Sequence, residues 1–256
     1  MSTITLLRRA KQNKNDEFYT RYEDIELELP KYKNQFIGKV VYCNCDFEES
    51  AFVKFFKDHY DDFGLKDFIY TCDDFRSDKN IELLKSADII VTNPPFSLFR
   101  EYLQTLIDYD KQFLIIAPMT ALGYNMVADM FVNDTIRLGY HEVSKFNNTT
   151  KTVKCCWLTN LCVRNTKWMQ LTKKYSPDLY PKYDNYDAIE VSKMRDIPMD
   201  YYGVMGVPIN FILTCYNPLQ FEIIGIVAPE LTTTWFWDDR EFKTALFKRY
   251  LIKRRN

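Results

Sequence analysis

Ala87-Asp88-Ile89-Ile90-Val91-Thr92-Asn93-Pro94-Pro95-Phe96 is the stretch whose reading decides the fold. The run up to Thr92 reads as a short buried strand of a parallel sheet, because an apolar segment of that length stops abruptly at turn residues. In open α/β sheets, ligands sit just past the carboxyl ends of the strands. Here that position holds an amide, two prolines and an aromatic. Asn93 offers a side-chain carbonyl as acceptor. Pro94 lacks an N–H but keeps its carbonyl, and the paired prolines stiffen the turn. Phe96 adds a flat apolar face. Two acceptors beside a ring suit a planar group with an exocyclic NH₂; the bland alternative is a strand followed by a proline-rich turn.

Around this strand the chain alternates. Lys39–Cys43, Asp67–Cys72 and Gln112–Ala117 read as further strands. Helices are expected after Asp46, where Asp46-x-x-Glu49 resembles a capping box ahead of Phe52, Val53, Phe55, Phe56 and Tyr60. Others are expected over 80–85, 95–107 and 124–132, and a short one within 15–30. Thr135–Tyr140 and Cys156–Val163 fit an antiparallel pair across the polar loop 145–151. Only one strand is evident between the first strand and Ile89–Thr92. The whole describes an α/β fold with a Rossmann-like, mostly parallel sheet and an antiparallel strand near its end. After about residue 165 the composition turns to Tyr, Pro, Asp and Lys, with strands expected at Phe211–Leu213 and Phe221–Val227. We therefore expect a larger domain over 1–165 and a smaller lobe over 166–256.

Composition narrows the function. With 46% hydrophobic residues among 256, a sizeable core is available. Glycine is scarce, 7 in all, and neither a G-x-G-x-x-G nor a Walker phosphate loop occurs. The formal net charge of −1 is unlike a dedicated DNA-binding protein. The ends, however, are basic (Arg8, Arg9, Lys11 and Lys14; Lys248, Arg249, Lys253, Arg254 and Arg255), while acidic clusters lie at 46–49, 58–62 and 73–74. An enzyme gripping DNA on one face can be near neutral overall. Seven cysteines and two histidines show no zinc-site spacing, so no metal is expected and the thiols read as free. No apolar run reaches ~18 residues and no signal core opens the chain, which predicts a cytoplasmic protein without membrane partners.

Asn93-Pro94-Pro95-Phe96 resembles motif IV of the amino-methyltransferases. Together with Asn15-Asp16-Glu17-Phe18-Tyr19-Thr20, the late block Tyr201–Ile209 and the block Tyr216–Ile223, in this order, the chain resembles the EcoRI-type adenine-specific DNA methyltransferases over residues 12–228. The resemblance implies S-adenosylmethionine as cofactor, S-adenosylhomocysteine as product and double-stranded DNA as substrate, with a restriction endonuclease as a possible companion. It implies that Asn93, Pro94, Pro95 and Phe96 act on a flipped adenine: two acceptors hold the amino group, favouring a pyramidal nitrogen, and Phe96 stacks on the base. Phe18, Tyr19 and Thr20 resemble motif X, which contacts the methionine part of the cofactor; Tyr19 fits an aromatic anchor equally well. The loop Asn44-Cys45-Asp46-Phe47 stands where motif I usually carries Gly-x-Gly, yet it has no glycine. Within it Asn44, Asp46 and Phe47 are cofactor candidates, and Asp46 suits either a cofactor amine or the helix cap. Asp73, Asp74 and Phe75 fit either the ribose-binding or the adenine-binding motif, or a solvated acidic turn. For DNA the candidates are Lys145, Asn147, Asn148 and Lys151 in the polar loop, and Lys193 and Arg195 in the lobe, where the resemblance implies target recognition. The rivals are an amino-methyltransferase acting on RNA adenine, cytosine or protein glutamine, and a catalytically silent DNA-binding relative.

Overall fold

The structure, a computed structural model, describes residues 18–164, 168–214, 216–227, 232–237, 240–245 and 248–255. The basic cluster Arg8, Arg9, Lys11 and Lys14, and Asn15-Asp16-Glu17 of the early block, lie outside the described residues. Two compact units divide the chain: Met1–Ala121 with Ile136–Val163, and Leu122–Thr135 with Arg164–Asn256.

The first unit is built on a six-stranded sheet of β1 (Val40–Cys43), β2 (Asp67–Tyr70), β3 (Ile89–Thr92), β4 (Gln112–Pro118), β5 (Arg137–Val143) and β6 (Cys155–Thr159), in the order β2-β1-β3-β4-β6-β5. The pairs β1–β2, β1–β3 and β3–β4 are parallel, and β6 runs antiparallel to both neighbours. This is the mostly parallel, Rossmann-like sheet that the sequence predicts. All four residues of β3 are buried, as its unbroken apolar run requires for a strand covered on both faces. A single strand does separate β1 from β3 in sequence, and it forms the sheet edge.

The helices of this unit are α1 (Tyr22–Glu28), α2 (Lys33–Phe36), α3 (Ala51–Asp58), α4 (Asp78–Ser86) and α5 (Phe99–Asp108). Burial of Phe52, Val53, Phe55 and Phe56 on α3 follows its apolar stripe. The capping box does not form. Helix α3 starts five residues after Asp46, and Ser50 caps it by accepting from the Val53 N–H at 3.2 Å. Asp46 is instead drawn inward to the hydroxyl of Thr92. Helix α1 is fastened to β5 by Glu28. This fully buried carboxylate accepts from the Tyr32 hydroxyl, the Tyr140 and His141 backbone N–H groups, and a ring nitrogen of His141.

The second unit holds α6 (Asn125–Val132) and a four-stranded sheet of β7 (Ile189–Glu190), β8 (Met205–Pro208), β9 (Phe221–Val227) and β12 (Arg249–Arg254), ordered β7-β8-β12-β9. A separate hairpin pairs β10 (Thr232–Trp237) with β11 (Arg240–Ala245). The expected strand at Phe211–Leu213 is a single helical turn, α7 (Phe211–Thr214). Phe211 and Ile212 are both buried, and a surface strand would have alternated them. The basic cluster near the end is a structured strand: Tyr250, Leu251 and Ile252 are buried, and Arg249 makes a bidentate ion pair with buried Glu190. Glu190 also takes the hydroxyls of Tyr183 and Ser192. This network explains Gly206 in the late block, since a methyl group there would lie 2.1 Å from the Tyr183 hydroxyl oxygen.

Candidate active site

The exits of β1 and β2 are zipped together past their last paired residues: the Thr71 N–H donates to the Cys43 carbonyl at 3.0 Å, and the Asp46 N–H to the Thr71 carbonyl at 2.9 Å. Beside them opens a cavity of about 860 Å³, within the usual range for small-molecule sites. Four segments of the first unit wall it: Phe18–Thr20, the β1 exit with the start of α3 (Cys45–Phe47, Glu49–Phe52), the β2 exit (Cys72–Ser77), and Asn93–Pro95 with Leu98 after β3; Asn147 completes it.

Asn93 has an unambiguous orientation. Its Nδ2 donates to the Phe18 carbonyl, and the opposite amide orientation would set two carbonyl oxygens against each other. Its Oδ1 is therefore the atom left over, and it is buried with no hydrogen-bond partner among the described residues. A buried acceptor without a donor costs ~1–3 kcal/mol, so the site carries an unmet demand for an N–H. Pro94 and Pro95 line the same cavity. Phe96 lies outside the lining. Its ring is half-buried against Phe18, at 5.1 Å between centroids, and Phe146, at 6.4 Å.

Phe18, Tyr19 and Thr20 all line the cavity. Tyr19 is 45% exposed and packs edge-on against Phe47 at 5.6 Å. Thr20 is buried, and its hydroxyl oxygen also lacks a partner among the described residues. Asp46 is buried on the cavity wall and accepts from the Thr92 hydroxyl at 2.6 Å. Burial pushes its carboxyl up to about 6, against the opposing pull of the Thr92 and Ser50 hydroxyls. Asn44 does not reach the cavity; it is buried and accepts from the Tyr102 hydroxyl.

The two neighbouring acids differ. Asp74 is held by Arg76 through two charge-assisted bonds of 2.7 and 2.8 Å, which lower its carboxyl below the usual carboxylate range. Asp73 is exposed on the wall and has no hydrogen bond or ion pair among the described residues. Phe75 is buried beside them, with Arg76 over its ring at 5.5 Å.

In the polar loop, Lys145, Asn147, Asn148 and Lys151 are exposed, but the backbone of Asn147 and the side chain of Asn148 hold the segment at Tyr19. Asn147 donates its backbone N–H to the Tyr19 carbonyl, and Asn148 Oδ1 accepts from the Tyr19 N–H. Lys193 and Arg195 are exposed on the second unit. Sequence reasoning missed Cys45, Ser50, Cys72, Arg76, Ser77 and Leu98, all of which line the cavity. Arg76 was within reach as the cation following an acidic strand end; the others carry no chemical signature.

A Rossmann-like sheet with a cavity past the carboxyl ends of β1, β2 and β3, and Asn93-Pro94-Pro95 on its wall, is the architecture of a methyltransferase fold. The chain matches the family described as "Adenine-specific methyltransferase EcoRI" over residues 6–73, 72–150 and 142–250. It is 42% identical to the Type II methyltransferase M.EcoRI of Escherichia coli, over 87% of this chain and 89% of that protein. It is 36% identical to the Type II methyltransferase M.MgeORF184P of Mycoplasma genitalium, over 88% and 87% of the two chains. To M.MpnI of Mycoplasma pneumoniae, likewise a Type II methyltransferase, it is 35% identical over 88% and 86%. The chain belongs to the EcoRI-type adenine-specific methyltransferase family.

Proposed function

We propose that this protein transfers a methyl group from S-adenosylmethionine to the exocyclic N6 amino group of an adenine turned out of double-stranded DNA. The observation that carries this reading is the buried, unpartnered Oδ1 of Asn93 on the cavity wall. A primary amine on a planar ring supplies the missing donor, and the Pro94 carbonyl is the natural acceptor for its second N–H. With both N–H groups engaged by acceptors, the nitrogen is pulled towards a pyramidal geometry and its lone pair is freed from the ring. Burial of Pro94 and the rigidity of the Pro-Pro turn hold the acceptors in place without reorganisation.

The lining also fits the cofactor. Asp46 would take its ammonium, the orphaned Thr20 hydroxyl its carboxylate, and Asp73 its ribose or adenine donors, with Phe47 and Phe75 as apolar walls. Asp74, already neutralised by Arg76, is the weaker candidate of the two neighbours. When bound, S-adenosylmethionine supplies an electrophilic methyl group on a sulfonium.

For DNA, exposed Lys145 and Lys151 are phosphate contacts in this reading, and the second unit, with exposed Lys193 and Arg195, recognises the target. The Type II designation of the relatives supports a companion restriction endonuclease. Mass spectrometry of DNA and RNA nucleosides, and of protein digests, from cells expressing the chain tests the whole reading. N6-methyladenine in DNA is expected. Methylcytosine, or methylation confined to RNA or to protein glutamine, would transfer the chemistry to a rival substrate, and no methylation at all would leave a silent relative.

A further inference from the structure

The orientation of Asn93 depends on a partner outside its own motif. The Phe18 carbonyl that receives its Nδ2 belongs to a strap, residues 18–20, running along one wall of the cavity. The strap is fastened to the polar loop after β5. Thr20 forms an antiparallel bridge with Phe146, in which the Asn147 N–H donates to the Tyr19 carbonyl at 2.8 Å. The second tie is unlike this one. The Tyr19 N–H donates not to a backbone carbonyl but to the side-chain Oδ1 of Asn148, at 2.9 Å. Behind these ties the rings of Phe18, Phe96 and Phe146 pack together, so the strap, the catalytic turn and the loop share one small aromatic cluster.

We propose that Asn148 is a positioning residue for methyl transfer. Its side chain fixes Tyr19, the adjoining Phe18 carbonyl thereby fixes the amide of Asn93, and Oδ1 of Asn93 is left facing the target amine. This rests on the reading above in one respect: it takes Asn93 to be the acceptor for that amine. The proposal moves Asn148 away from base reading, the role its amide and its place in a polar loop suggest from sequence. An exposed asparagine free to read bases would not hold a backbone N–H of a neighbouring segment. The position also gives the loop a physical route to the chemistry, since Lys145 and Lys151 flank the tie on the same loop.

The test compares Asn148→Ala and Asn148→Asp in the full chain, on a duplex that the unaltered protein methylates. Asn148→Ala should lower the single-turnover rate about 10- to 100-fold, the cost of a misplaced reacting group, while the Kd values for cofactor and DNA change less than three-fold or so. Asn148→Asp keeps an oxygen acceptor for the Tyr19 N–H. It should retain most of the single-turnover rate, while its added negative charge raises KM for DNA. A second readout needs no activity: in ¹⁵N-labelled protein, the Asn93 side-chain NH₂ resonances, assigned by their loss in Asn93→Ser, should move in Asn148→Ala and stay put in Asn148→Asp. If Asn148→Ala keeps its rate but loses DNA affinity or sequence selectivity, the residue reads DNA and the proposal is overturned. Equal loss of rate in both variants, with equally lowered melting temperatures, overturns it in favour of a merely structural role. Should the unaltered protein methylate no nucleic acid, the proposed function fails by itself, and the Asn93 resonances still decide whether Asn148 orients that amide.

Discussion

Asp46→Asn should make the cofactor-free protein more stable at neutral pH while weakening its grip on the cofactor. Burial raises the Asp46 carboxyl from 3.8 to about 6. At ~1.4 kcal/mol per pH unit, that gap is an ionisation penalty of about 3 kcal/mol. The sign follows from the direction of the shift. Below about pH 4 the group is protonated in both the folded and the unfolded chain, and nothing is lost. Between about 4 and 6 the unfolded chain releases its proton while the folded one holds it, so stability falls as pH rises. Above about 6 the full penalty stands. Asparagine cannot ionise, yet it keeps an oxygen to accept the Thr92 hydroxyl. Urea unfolding monitored at several pH values should give nearly equal stabilities for the two proteins at pH 4. At pH 7.5 the variant should lead by about 2–3 kcal/mol, discounted for solvent relaxation around the ionised group. Calorimetry should show the opposite ranking for the cofactor: the unaltered protein binds more tightly as pH rises through 6, and the variant binds at least about ten-fold more weakly without that slope, as for a lost charged hydrogen bond. A variant less stable at pH 7.5 than its parent refutes the burial account. An unchanged cofactor Kd removes Asp46 from the ammonium site.

Asn93→Ala should abolish most turnover while cofactor Kd changes little, as measured by single-turnover methylation and calorimetry; collapse of cofactor binding in a folded protein would reassign the residue. Gly206→Ala should cost about 1–3 kcal/mol by overpacking against Tyr183, seen as a lower urea midpoint; an unchanged midpoint would mean that Tyr183 moves aside freely. Cys72, exposed on the cavity wall, should be alkylated by a maleimide and protected by saturating cofactor; equal labelling with and without cofactor would place the ligand elsewhere. Phe96→Ala should lower both the melting temperature and turnover, because the ring packs on Phe18 and Phe146; a duplex mismatched at the target base should restore part of the rate only if Phe96 also stacks on the extruded base.

How much was legible depended on whether burial left a periodic trace. Strands β1, β3 and β4 are flanked on both faces, so each is an unbroken apolar run between turn residues, and the sequence exposes them plainly. The Asn-Pro-Pro-Phe turn was legible because its chemistry is local. The second unit was not. Its strand β12 has the sequence Arg-Tyr-Leu-Ile-Lys-Arg, and basic residues that look solvated are partly structural: Arg249 is paired with Glu190, and the Lys248 ammonium donates to the Gly123 carbonyl at 2.9 Å. Strand β7 is two residues long, and Tyr180 and Tyr201 each pack on Tyr175 where no period exists to read. The membership of Leu122–Thr135 in the second unit, on the far side of β5 and β6 in sequence, is likewise a long-range fact that no local pattern carries.

The loop after β1 shows what replaces a glycine-rich turn. Glycines there would let a ligand approach the backbone, with N–H groups as the recognising atoms. In this chain one backbone donor of that loop is committed, the Asp46 N–H to the Thr71 carbonyl, and the Asn44 side chain is anchored by the Tyr102 hydroxyl. These bonds fix the loop, and Cys45, Asp46 and Phe47 all line the cavity, so in the proposed reading side chains rather than backbone N–H groups meet the cofactor. Recognition through a buried carboxylate differs in kind from recognition through N–H groups. It favours a cation over an anion, which suits an ammonium and disfavours a phosphate. If Asp46 takes the cofactor ammonium as proposed, binding depends on its protonation, and burial pushes its carboxyl up to about 6. On that reading cofactor affinity rises as pH passes through about 6, and a flat pH profile would remove Asp46 from the ammonium site.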